Sequence, residues 1–284
     1  MCYIECMIID GKKIAEEILT ELKQKGRPKK FLAALLVGED PASVSFLRIK
    51  EKVAKELGIE FQLHTFSKSV SRDVLRRSLD KIAEKKMCGG IIIQLPLPPQ
   101  INKHYILNAI PREKDVDVLS ERALGSFYTE RSAILPPSVG ALVKILDRSL
   151  ITPQGDNTEL AGWFIENKKI AVVGLGFLVG KPIATWLVGK AKEAHFLDKG
   201  SDLSVLKDMD IVILGTGQPH LINSKMLKPD ALVIDFGYSR EGKKIVGDFN
   251  PIHAPETLSY TQTPGGTGPI LVAQLFENFY TLNK

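Results

Sequence analysis

The sequence predicts a two-domain α/β protein built on mainly parallel sheets, and three observations carry this. A chain of 284 residues has room for about two domains at roughly 150 residues each. Helical periods alternate with short apolar runs almost from the start, the pattern of strands joined by crossover helices. Hydrophobic residues make up 44% and charged residues 25%, the balance of a folded chain in water, which excludes a disordered or fibrous protein.

The elements follow from the apolar spacing. Residues 8–25 carry a helical period, and Phe31-Leu-Ala-Ala-Leu-Leu-Val37 is continuously apolar, as a strand buried on both faces must be. Asp40-Pro41 offers an N-cap carboxylate and a proline at the first helical position, so a helix is expected over 41–57, stopped by Gly58. A strand at 60–65, a helix at 74–86 and a strand at 90–94 complete an αβαβαβ block. After Leu95-Pro-Leu-Pro-Pro99 the pattern loosens. A helix is expected over 138–150, and 152–157 is rich in turn formers. A second series follows, with strands at 170–173, 194–197, 211–214 and 232–235, a helix over 181–190 and a last helix over 269–280. The domains are expected at residues 1–139, joined by the C-terminal helix 268–284, and at 140–267.

Charge and cysteine usage narrow the classes. Lys plus Arg is 38 and Asp plus Glu 33, a net +5 spread along the chain, so no nucleic-acid partner is indicated. Cys2, Cys6 and Cys88 are odd in number, with no C-x-x-C pair and no neighbouring histidines. Neither a disulfide framework nor a metal site is expected, and a reducing, cytoplasmic setting is. The apolar start carries Glu5 and lacks a basic stretch, so it does not read as a signal peptide. No apolar run approaches the roughly 18 residues of a membrane span.

Lys169-Ile-Ala-Val-Val-Gly174-Leu-Gly176-Phe-Leu-Val-Gly180-Lys-Pro182 is a buried strand that runs into glycines and opens a helix. Bare backbone there lets a pyrophosphate approach the N–H groups at the helix start. The spacing is one residue longer than the usual dinucleotide fingerprint and also fits a ligand-free turn. Asp198 strengthens it by ending the next strand about 20 residues on, where a carboxylate can hold a ribose 2′-hydroxyl. Two further strands end in small residues, Gly215-Thr216-Gly217 and Phe236-Gly237. Together they predict a Rossmann-like domain.

In the first domain Phe46, Ile49, Val53 and Leu57 fall on one apolar helix face, with Lys50 one turn after Phe46. Burial disfavours a charged amine, so a lysine there could serve as a neutral base. By periodicity alone the preferred reading is a lysine whose stem covers apolar surface while its head stays in water.

Six segments alter that weighting: Ile8-Ile-Asp-Gly-Lys12, Leu36-Val-Gly-Glu-Asp-Pro-Ala-Ser43, Gln94-Leu-Pro-Leu-Pro98, Lys114-Asp-Val-Asp117, the glycine loop 173–182 and Pro264-Gly-Gly-Thr-Gly-Pro269. Their order and spacing resemble the methylenetetrahydrofolate dehydrogenase/methenyltetrahydrofolate cyclohydrolase family over nearly the whole chain. The resemblance implies a folate-binding catalytic domain, a Rossmann-like domain with a cleft between the two, NADP or NAD as cofactor, and a homodimer serving one-carbon metabolism and purine biosynthesis. Carried over by position, Lys50, Gln94 and Asp117 are the catalytic set. Phe46, Leu95, Pro96, Asp117, Pro264, Gly265 and Gly266 would meet the substrate. Gly174, Leu175, Gly176, Gly180, Asp198, Lys199, Gly215, Thr216 and Tyr238 would meet the dinucleotide. Such an enzyme moves a hydride from the bridging carbon of the folate to nicotinamide, which demands alignment more than acid or base, and then hydrolyses the methenyl cation, which needs a proton shuttle.

The chain departs from the family in three places. The family's tyrosine before the lysine is Phe46, which keeps a ring and loses a hydroxyl, so the expectation is a weakened hydrolysis. The family's Pro-Cys-Thr-Pro appears only as Leu135-Pro-Pro-Ser-Val-Gly140. The family's Gly-Arg-Ser is Gly174-Leu175-Gly176, and its His-Ser pair is Asp198-Lys199. An uncharged leucine and a carboxylate suit a free 2′-hydroxyl better than a 2′-phosphate, so NAD is expected over NADP. The competing expectations are a dehydrogenase that has lost hydrolysis and a non-catalytic folate or nucleotide binder.

Overall fold

A computed structural model describes residues 8–149, 165–242 and 244–284. The turn-rich segment 152–157 and both N-terminal cysteines lie outside these.

Ile8 and Ile9 form a short strand, β1, instead of the first turn of a helix. Asp10 ends it, and its Oδ1 accepts from the N–H groups of Lys12 and Lys13 at 3.0 and 3.3 Å, so helix α1 starts at Gly11 and runs to Gln24. Strand β2 (Phe31–Val37) is buried at every residue. Helix α2 (Pro41–Glu56) begins as expected, Asp40 accepting from the Ser43 N–H at 2.8 Å with Pro41 in the first turn. Strand β3 (Phe61–Phe66), helix α3 (Arg72–Ala83), capped by Ser71, and buried strand β4 (Cys88–Ile93) complete the block. Helices α4 (Lys103–Leu107), α5 (Glu121–Tyr128) and α6 (Pro137–Ser149) follow.

The second series holds β5 (Lys169–Val173), α7 (Gly180–Leu187), β6 (Glu193–Leu197) and β7 (Ile211–Leu214). Next come β8 (Ile222–Asn223), β9 (Leu232–Asp235), the hairpin strands β10 (Ser239–Glu241) and β11 (Lys244–Val246), β12 (Phe249–Asn250) and β13 (Ser259–Thr261). The last helix, α8, spans Thr267–Leu282.

The chain divides into two compact units, the described residues up to Ala15 with Ser138–Leu271, and Glu16–Pro137 with Val272–Lys284. The second of these holds a parallel sheet ordered β3-β2-β4. The first holds a six-stranded parallel sheet ordered β1-β13-β9-β7-β5-β6. Ile8 and Ile9 pair with Tyr260 and Thr261 and extend that sheet, so the described residues up to Ala15 group with it by contact, a pairing some 250 positions away that local periodicity cannot register.

Candidate active site

In the six-stranded sheet β5 has β6 on one side and β7 on the other. The loops at their carboxyl ends therefore diverge around a crevice, the position where open α/β sheets bind ligands. A cavity of about 320 Å³ lies there, walled by Gly174, Leu175 and Gly176 after β5, Asp198 and Lys199 after β6, and Gly215 and Thr216 after β7. Seven of the nine residues singled out for a dinucleotide thus line one space. Gly180 is not on its wall but buried at the start of α7, against the loop at Gly174. Tyr238, half-buried beyond β9, does not line the cavity either. Gly200, Ser201, Leu203, Gln218 and Leu221 also line it without having stood out in the sequence, together with Val173 at the end of β5.

The wall suits a dinucleotide on two counts. Gly176 is exposed, and the nearest atom to a β-carbon built on it is the Gly215 carbonyl oxygen at 3.9 Å. Packing within the protein does not demand glycine there, so the bare backbone serves whatever enters the cavity. Val179 precedes α7 without any side-chain cap; the Lys181 N–H donates to the Gly176 carbonyl at 3.0 Å and Pro182 has no N–H, so what the helix start offers an anion is the positive end of its dipole.

The other unit holds the proposed catalytic residues, Gln94 at the carboxyl end of β4, Lys50 on α2 and Asp117 in the loop after Asp115. Gln94 leaves β4 with its N–H donating to the Leu35 carbonyl at 3.0 Å. Asp115 bridges Ile91 of β4 in parallel, and the chain turns directly after it, with Asp117 in that turn. The buried Asp115 carboxylate shapes this loop by accepting from the N–H groups of Leu119 and Ser120, the latter at 2.7 Å, while Val118 takes a positive φ of 56°. Burial pushes the Asp117 carboxyl above the ordinary carboxylate value, and the Lys50 ammonium from α2 pulls it part of the way back. Gln94 donates through Nε2 to the Leu95 carbonyl at 2.8 Å, and its buried Oε1 has no protein partner. A bare buried acceptor at a strand end is suited to a ligand N–H or a water.

Phe46 and Leu95 are half-buried in the same unit and Pro96 is exposed after a cis peptide bond. Pro264, Gly265 and Gly266 lie in the dinucleotide unit, just before α8. Lys114 has a structural task, its ammonium donating to the Ala83 and Lys85 carbonyls at the end of α3. Two acids went unremarked in the sequence, Asp235 and Asp248. Asp235 ends β9, and its carboxylate accepts from the N–H groups of Gly237 at 2.7 Å and Phe249 at 2.9 Å. Burial, with the charge of Asp248 adding to it, pushes the Asp235 carboxyl up to about 6. An acid ending an apolar strand was the available signal. Among the described residues no group of three or more His, Cys, Asp or Glu could hold a metal, and no helix is long and apolar enough to cross a membrane.

Fold and cavity together define a two-unit α/β protein with a nicotinamide-dinucleotide-binding unit. The catalytic-domain model of tetrahydrofolate dehydrogenase/cyclohydrolase matches residues 9–117, and the NAD(P)-binding-domain model matches 152–284. The chain belongs to the tetrahydrofolate dehydrogenase/cyclohydrolase family. It is 35% identical over 294 residues to the bifunctional protein FolD of Halothermothrix orenii, with 98% of each chain covered. It is 34% identical to that of Moorella thermoacetica, covering 95% of this chain and 96% of that one. Among solved structures, the bifunctional FolD of Campylobacter jejuni superposes with a TM-score of 0.87 at 28% identity, covering 97% and 98% of the two chains. The Trypanosoma brucei enzyme, complexed with NADP cofactor and inhibitor, gives 0.87 at 29% identity, covering 98% and 97%.

Proposed function

We propose that the chain is a bifunctional enzyme that oxidises 5,10-methylenetetrahydrofolate and hydrolyses the resulting 5,10-methenyl cation to 10-formyltetrahydrofolate. The observation that carries this reading is the buried Gln94 Oε1 without a protein partner at the carboxyl end of β4, in the unit that also holds Lys50 on α2 and Asp117. A bound nicotinamide dinucleotide supplies the hydride acceptor, and the residues lining the crevice at β5, β6 and β7 would hold it. Asp117 would anchor the pterin through its N–H groups, a charge-assisted contact, and Phe46 would stack on the folate rings. Lys50 in its neutral form would take a proton from the water attacking the methenyl carbon and return one to the ring nitrogen as the C–N bond opens. Gln94 Oε1 would orient that water.

The reading extends to NAD as the preferred cofactor, because exposed Asp198 and uncharged Leu175 face the cavity where a 2′-phosphate would otherwise need a cation. Lys199 on the same wall acts in the opposite sense. A homodimer in the cytoplasm completes it. A second reading, a dehydrogenase without hydrolysis, is favoured by Phe46 alone. Following the methenyl-folate absorbance during turnover with each cofactor separates these. Appearance and decay marks both activities, persistence marks dehydrogenase only, and no signal overturns the reading. A higher kcat/KM with NADP would overturn the cofactor preference.

A further inference from the structure

The segment 247–250 braces the loop that follows β7. Gly247 and Asp248 accept, through their carbonyls, from the N–H groups of His220 and Ile222, each at 3.0 Å. Strand β12 then pairs in parallel with β8. The Asp248 side chain adds a focused contact. It is fully buried, and its Oδ2 accepts from the Thr216 N–H at 2.6 Å, the Thr216 hydroxyl at 2.9 Å and the Gly217 N–H at 3.2 Å. Its Oδ1 is buried without a partner and packs against Gly237.

Leaving a carboxylate oxygen bare in a buried position is costly. Three donors converging on the other oxygen offset it, and all three belong to the loop that carries Gly215, Thr216 and Gln218 into the dinucleotide cavity. A neutral acceptor would hold the same donors less strongly. Nothing else in the proposed chemistry uses Asp248, since it does not line the cavity.

We infer that Asp248 is a positioning residue for dinucleotide binding, acting through Thr216 and Gly217 to fix the wall of the cavity after β7. This rests on the dinucleotide site proposed above. Asp248 holds the loop in the shape the cofactor meets, so the cofactor does not have to order it on binding, which would weaken affinity.

The test compares wild type with Asp248→Ala and Asp248→Asn. Dinucleotide Kd is read by NADH fluorescence, dehydrogenase by KM for the dinucleotide, and the hydrolysis of methenyltetrahydrofolate serves as a step that needs no dinucleotide. Expected are a Kd and KM raised about tenfold or more for Asp248→Ala, a smaller rise for Asp248→Asn, and hydrolysis within about twofold of wild type. Thr216→Val, which keeps the backbone contacts, should raise Kd several-fold, and Thr216→Ser should restore it. Adding Asp248→Asn to Thr216→Val should cost less than it does alone, because the two act through one contact. Should Asp248→Ala not fold, the Asn, Val and Ser variants carry the comparison. Unchanged dinucleotide Kd, additive effects, or hydrolysis falling in step with dehydrogenase would overturn the role. Wild-type protein that binds no dinucleotide would remove the functional reading and this role together, whereas normal wild-type binding with unaffected variants removes this role alone.

Discussion

Gly180 and Gly174 meet backbone to backbone: a β-carbon on Gly180 would stand 1.8 Å from the Gly174 carbonyl oxygen. Helix α7 can close on the glycine loop only because that β-carbon is missing. Gly180→Ala should therefore destabilise the protein by about 3 kcal/mol or force the loop apart. Gly176→Ala, with nothing nearer than 3.9 Å, should leave stability within about 0.5 kcal/mol and yet weaken dinucleotide binding about tenfold. Thermal unfolding and fluorescence titration on the two variants check the contrast. Equal loss of stability in both would contradict it.

Lys50→Met should lower hydrolysis about 100-fold or more while leaving hydride transfer within a few-fold, since only the former needs a proton shuttle. Removing the ammonium that opposes burial also raises the Asp117 carboxyl further. The acidic limb of the dehydrogenase pH profile should accordingly move to higher pH. Separate assays of the two steps across pH check both statements, and hydrolysis unaffected by the substitution would sink the role given to Lys50.

Phe46→Tyr restores a hydroxyl one helical turn before Lys50. The ratio of hydrolysis to dehydrogenase activity should rise about fivefold, the worth of one hydrogen bond of roughly 1 kcal/mol. Stopped-flow decay of the methenyl intermediate measures it.

Leu175→Arg combined with Asp198→Ser replaces an uncharged side chain and a carboxylate on the cavity wall by a cation and a small hydroxyl. The ratio of kcat/KM for NADP over NAD should increase about 100-fold. Steady-state kinetics with both cofactors test this, and an unchanged ratio would show that the ribose end lies elsewhere.

Asp235 carries a pH signature. Its carboxyl titrates near 6 in the folded protein and near 3.9 in an unfolded chain, so between these values the native state holds the extra proton. Its contribution to stability is then fully present below about pH 4, falls as pH rises through 6, and leaves a penalty of about 3 kcal/mol at neutral pH. Urea unfolding between pH 4 and 7 should show wild type losing stability relative to Asp235→Asn over this window. Parallel profiles would rule out the raised titration.

The elements that carry the site were legible where chemistry is local. Asp40-Pro41 announced α2 and hence the helix bearing Phe46 and Lys50, and the glycines after β5 announced a strand turning into a helix beside Asp198. The continuous apolar run of β2 showed a strand covered on both faces. Each of these signals lies within a few residues of the element it specifies.

What the sequence by itself determined was therefore the kind of protein and the parts, α/β units with a dinucleotide loop and a helix bearing Lys50, although that helix buries Ser43, Leu47 and Ala54 and leaves Ile49 exposed where the spacing had predicted an apolar face. Only the tertiary structure decided which parts meet. It joined β1 to β13, so that the described residues up to Ala15 pack with the six-stranded sheet. It bridged Asp115 to β4 and set Asp117, in the turn that follows, within reach of the Lys50 charge. It folded Asp248 under Thr216, 32 positions earlier in the chain. Strand pairing, burial and charge coupling are properties of residues distant along the chain, and they acquire values only once the backbone has closed those distances.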